Sequence, residues 1–163
     1  MELELLRSLA TWLEGSALSK YIVNSQHAWY VFEILHFAGL ALLIGGVGIL
    51  DLRILGAAKG LPVGPLHQAV PWGVAGFALC VISGVLFVVG EPANFLFRPV
   101  FQLKMLFVLV AGINVLVFYL FMFRDVEALG PGDDAPMRAK AIAAISLFLW
   151  FGVIFWGRWL GVA

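Results

Sequence analysis

Charge is scarce in this chain. Only 12% of its 163 residues are Asp, Glu, Lys or Arg, against about 25% in an ordinary soluble domain, and they cancel to a formal net charge of zero. That balance argues against a nucleic-acid partner, which a basic face would attract. Cysteine is nearly absent too: Cys80 stands alone, so neither a disulfide framework nor a multi-thiolate metal site can form within one chain. The first residues lack the basic stretch of a cleavable signal, with Glu2, Glu4 and Glu14 against a single Arg7.

What is present is hydrocarbon. Sixty-three per cent of the residues are hydrophobic, and the mean hydropathy is +1.01. They gather in four runs, about 29–50, 70–90, 99–123 and 141–162, each at or beyond the ~20 residues that cross ~30 Å of bilayer core. The pattern predicts an all-α integral membrane four-helix bundle, one membrane domain over 1–163, with the lipid bilayer as its solvent. Ahead of it, Leu6, Leu9, Leu13 and Ala17 recur at helical spacing opposite Glu4, Arg7, Thr11 and Glu14. They predict an amphipathic helix over about 2–22 lying in the interface, with Trp12 at headgroup level. Pro71 and Pro99 fall in first turns, where a missing N–H costs little. Gly130-Pro-Gly-Asp-Asp134 marks an exposed loop.

Four spans put both termini on one side. The loops after the first and third spans carry Arg53, Lys59, Arg124, Arg138 and Lys140, so the positive-inside rule makes those loops cytoplasmic and both termini periplasmic. Two stripes of small residues, Ala38–Ala41–Gly45–Gly48 and Gly73–Gly76–Cys80–Gly84, suit close helix packing. They serve the bundle itself, a homo-oligomer or a larger membrane complex.

Within the first run, Glu33 and His36 are the only ionisable residues before its end. They share a face with ~4.5 Å of helical rise between them, and ionisable side chains in hydrocarbon mark candidate functional sites. Lys104 lies five residues into the third span and Arg158 about one turn from the end of the fourth. Glu91 and Asn94 occupy the short loop after the uncharged second span. All of these reach one layer on the side of the termini, whereas the opposite half offers only terminal residues such as Asp51, Arg53, His67 and Arg124. Snorkelling of Lys104 and Arg158 and an aromatic belt of Trp29, Tyr30, Trp156 and Trp159 account for the same residues without a site.

A haem asks the protein for one or two axial ligands at one depth among apolar walls. His27 and His36 lie ~13 Å apart on one helix and cannot sandwich an iron, and His67 belongs to the other side. The expected haem b ligands are therefore His36 alone or His36 with Met105. Glu33 would hydrogen-bond and orient the ring, and Lys104 or Arg158 would meet a propionate. Copper is the alternative metal, with Met105 and Cys80 as soft donors. A quinone or another lipid-soluble ligand at the same layer is a further reading.

Glu33-x-x-His36-x-x-Gly39-Leu40-Ala41-Leu42, Asp51-Leu52-Arg53-x-Leu55-Gly56, Pro71-Trp72, Pro99-x-Phe101-x-x-Lys104 and Gly157-Arg158-Trp159 together resemble an uncharacterised family of small bacterial four-helix membrane proteins. More distantly, the histidine in the first span and the Leu-Lys in a later one are similar to the HemJ-type protoporphyrinogen oxidases and, in the first helix, to the CopD copper-resistance proteins. The oxidase resemblance implies His36 as an iron ligand and Lys104 as its functional partner. Phe118 and Tyr119 stand where further histidines often follow that lysine.

The leading expectation is a protein of the bacterial inner membrane with a b-type haem or redox-metal site in the outer leaflet, serving electron transfer or redox chemistry. The alternatives are a non-catalytic accessory subunit of a larger membrane complex and copper transport. Whether the chain is an enzyme is left open by its residues.

Overall fold

The computed structural model describes residues 2–162. The described residues form helices joined by turns: α1 (Glu2–Gly15), α2 (Ala17–Asn24), α3 (Ala28–Leu55), α4 (Val63–His67), α5 (Val70–Gly90), α6 (Pro92–Leu96), α7 (Pro99–Phe121), α8 (Phe123–Val126) and α9 (Met137–Trp159). They make four spans long and apolar enough to cross a membrane: α3, α4 together with α5, α7, and α9. Their outward faces carry large apolar side chains such as Ile34, Leu120, Phe148 and Phe151, all more than 60% exposed. Water would penalise that surface and lipid does not, so the chain is a multi-pass membrane protein.

The bundle is built as two pairs. α3 packs along α5 and α7 along α9, and α3 meets α9 to join the pairs, while α5 and α7 make no extended contact. Glycine sets the first pair. A Cβ on Gly76 would lie 2.5 Å from the Gly39 carbonyl oxygen, and one on Gly46 would lie 2.7 Å from that of Ala69. Only glycine permits backbones to approach so closely. The α5 stripe of Gly73, Gly76 and Cys80 faces α3 as its spacing suggests. On α3, however, the glycines that meet α5 are Gly39 and Gly46, while Ala38, Ala41 and Gly45 are exposed and Gly48, also buried, faces Leu147 of α9. Two small-residue registers lie on this helix, and only packing selects between them.

Three boundaries differ from the sequence reading. The single helix expected over 2–22 is two, because Gly15 ends α1 and the Ser16 hydroxyl accepts from the Ser19 N–H at 3.1 Å to start α2. α9 begins at Met137, directly after Pro136. Most consequentially, α3 continues past residue 50 to Leu55 and stops only where Gly56 takes φ +100°, its N–H returning to Leu52 and Arg53 carbonyls. Asp51 and Arg53 are thus not terminal residues exposed at the interface. They lie inside the helix, 7% and 0% exposed.

The end away from the termini is sealed. Arg53 donates to the Leu61 carbonyl, to that of Gly130 at 2.7 Å and to that of Asp133 at 3.2 Å. Val63 N–H donates to Leu129 O, and Gly132 N–H to Lys59 O. Beneath them lies a core of Leu50, Ile54, Val63, Phe118, Val126 and Ala139. At the other end, α1 packs on α6 and α2 on α5, with Ile22 seated where Gly90 has no side chain.

Candidate functional site

At the end nearer the termini the four spans do not close. They leave a cleft of about 530 Å³ whose walls include Glu33 and His36 from α3, Phe87 from α5, Lys104 from α7, and Gly157 and Arg158 from α9. Glu91, Asn94, Phe95 and Arg98, in and beside α6, complete its rim. Four residues singled out by depth, Glu33, His36, Lys104 and Arg158, are therefore brought to one place. Met105 is not among the residues lining it and is 40% exposed on the outside of α7. The adjacent residue of a helix is turned ~100° away, so neighbouring Lys104 in sequence does not bring Met105 to the site.

His36 is half-buried, eight residues after the first residue of α3, at a depth of ~12 Å along the helix. Its Nδ1 lies 2.8 Å from Ser83 Oγ on α5. The Ser83 hydroxyl has one proton and lies 2.7 Å from the Leu79 carbonyl, an acceptor only. The consistent assignment has Ser83 donating to Leu79 and accepting from His36 Nδ1–H. The proton is then on Nδ1, and Nε2 keeps an in-plane lone pair with no hydrogen-bond partner among the described residues. The ring packs edge-on to Phe87, centroids 5.7 Å apart, and Phe87 in turn contacts Trp29 and Phe95.

The hydrogen bond to the His36 ring expected of Glu33 is made by Ser83 in this structure. The i,i+3 spacing puts Glu33 and His36 on one face, but the imidazole reaches across to α5 while Glu33 remains exposed on the cleft wall. Ser83 escaped the sequence reading, although a lone hydroxyl residue in a span without charge was the available signal; the structure leaves it 1% exposed. Arg98 also borders the cleft. Its Nη1 donates to the Leu160 carbonyl at 3.1 Å and ties the start of α7 to the end of α9 beside the cleft.

Lys104, Arg98 and Arg158 give the cleft three cations. Among the described residues, none is in an ion pair; the ion pairs present are at the far end of the molecule. A Cβ at Gly157 would sit 3.2 Å from Lys104 Nζ, so glycine here makes room for the ammonium against α9. The arrangement combines one imidazole lone pair, aromatic and apolar walls, and a margin on which three cations outnumber two carboxylates, Glu33 and Glu91. Chemically it suits an amphipathic anion whose apolar body enters between the helices. Among the described residues, no three His, Cys, Asp or Glu side chains cluster to hold a bare metal ion.

Fold and site together define a multi-pass helical membrane protein with a charged cleft at one end of its bundle. The sequence model of a family of unknown function (DUF6644) matches residues 9–163, and the chain belongs to that family. No curated protein and no solved structure matches it, so the likeness to the protoporphyrinogen oxidases and copper-resistance proteins finds no counterpart there.

Proposed function

We propose that the cleft holds a b-type haem with His36 Nε2 as its axial ligand and that the protein serves electron transfer or redox chemistry in the bacterial inner membrane. The observation that carries this reading is the His36–Ser83 contact. A neutral imidazole whose Nδ1–H is engaged presents its other nitrogen to a metal, as ligating histidines do. Haem supplies a one-electron carrier when bound, and the protein's part is to grip and tune it. Lys104, Arg98 and Arg158 would face the propionates, and Phe87, Trp29 and Phe95 would exclude water. Copper handling asks for several soft or imidazole donors around one point, whereas this cleft offers one imidazole and no thioether. That donor set would leave His36 as the one residue holding the iron, with Met105 outside the ligand set. On the same reading the termini are periplasmic, because the opposite loops hold the larger share of Lys and Arg.

The test is a reduced-minus-oxidised visible spectrum of protein purified in detergent from cells supplied with haem precursor. A b-type spectrum of high-spin character, lost in His36→Ala and shifted in Ser83→Ala, is expected. A colourless wild type overturns the proposal.

A further inference from the structure

The extension of α3 to Leu55 carries Asp51 into the bundle, where a carboxyl in an apolar environment demands a partner. A second cavity, of about 200 Å³, lies there between all four spans. Its walls are mostly Val, Leu and Phe, and its polar residues are Asp51, Asn114, Tyr119, Ser146 and the indole of Trp150. Most of those polar groups are engaged: Asn114 Nδ2 donates to the Ile142 carbonyl at 3.2 Å, the Tyr119 hydroxyl is 3.0 Å from His67 Nε2, and Ser146 lies beside Asp51. Two atoms are not. Asp51 Oδ2 and Trp150 Nε1 are both fully buried with no hydrogen-bond partner among the described residues, in side chains more than nine-tenths buried.

These two atoms specify opposite needs. Trp150 Nε1–H can only donate and wants an acceptor. Asp51 Oδ2 wants a donor. Ser146 and Trp150 are four residues apart on α9, ~6 Å of rise, so the two demands lie at successive levels of one cavity. An apolar cavity of ~150 Å³ accepts a benzene ring, and this one is larger, with Phe77, Phe118 and Trp150 supplying aromatic walls. α5 and α7, which make no extended contact, leave the seam through which such a molecule would arrive from lipid.

We propose that this cavity is a second binding site, separate from the terminal cleft, for a lipid-soluble molecule whose single ring carries oxygens at opposite ends, of the quinol class. One oxygen accepts from Trp150 Nε1–H, and the hydroxyl at the other end donates to Asp51 Oδ2, each once its side chain turns toward the ring, since both atoms are fully buried in this structure.

The experiment measures equilibrium binding of 1,4-dihydroxybenzene and of p-xylene, its isostere without oxygens, to the full chain in nanodiscs. Trp150→Phe keeps an aromatic side chain and removes the donor; Asp51→Asn keeps the size and changes the acceptor. Each variant is expected to raise the Kd for the dihydroxybenzene tenfold or more while leaving that for p-xylene within twofold. His36→Ala is expected to alter neither. Equal shifts for both probes, or no shift for either, would show an unselective apolar cavity and overturn the proposal. A wild type that retains neither probe overturns it in favour of a bridging water. An effect of His36→Ala as large as that of Trp150→Phe would place the probe in the terminal cleft and equally sink it.

Discussion

The two ends of the bundle treat arginine and lysine in opposite ways. At the sealed end, Arg53 is completely buried and spends its guanidinium on the carbonyls of Leu61, Gly130 and Asp133, stitching two loops to the end of α3. Asp134 holds Lys59 at 2.7 Å and Lys140 at 2.8 Å. At the open end, Lys104 and Arg158 face a cleft, and neither is in an ion pair among the described residues. Arg53, Lys59 and Lys140 at the first end are consumed by structure. At the second, Arg98 is spent on the Leu160 carbonyl, but Lys104 and Arg158 are left for something else, and a cation without an ionic partner beside a cleft is the more informative of the two.

That contrast predicts different penalties. The largest belongs to Arg53→Ala, which strands buried carbonyls in both loops; at 1.5–3 kcal/mol for a hydrogen bond to a charged group, a loss of about 3 kcal/mol or more is expected. Thermal melts in detergent would show it, and an unchanged melting temperature would dissolve the distinction between the ends. Lys104→Met should move stability by less than about 1 kcal/mol, in either direction, because it removes a cation with no ionic partner. Its effect should fall on the affinity for an anionic ligand, measured by haem titration, and a collapse in stability instead would make Lys104 structural. The smallest effect concerns Asp134, whose carboxyl is held below its usual 3.8, at about 2, by hydrogen bonds from Lys140 and then Lys59. Such a depressed carboxylate contributes stability that is present above pH 3.8 and lost as pH falls through about 2. Across that window the wild type should lose slightly more melting temperature than Asp134→Asn, a modest difference because the group is exposed and screened.

Much of the open end was legible in the residues, because depth along a span can be counted. Glu33, His36, Lys104 and Arg158 fall at similar distances from one surface, and they do line one cleft. Rotation about the helix axis was not legible. In lipid both the packed and the exposed faces of a span are apolar, so hydrophobic periodicity, which orients a helix in water, carries little information. Hence Gly39 and Gly46 were passed over for Gly45 and Gly48, Met105 was offered to a site that it faces away from, and Ser83 went unnoticed. Asp51 was misplaced for a related reason. A hydropathy run ends at the first charge, but a helix ends at Gly56, and a charge turned inward can prolong the span.

The pairing of helices also orders the chain's birth. α3 and α5 are separated by one short connection and interlock through glycine backbones, as neighbours in sequence rather than across the chain. α7 and α9 are likewise neighbours in sequence, leaving the contact of α3 with α9 as the long-range event. The first hairpin can therefore close while the second is still being synthesised, and the two halves join afterwards as finished units. The seam between α5 and α7 is the side on which no such joining occurs.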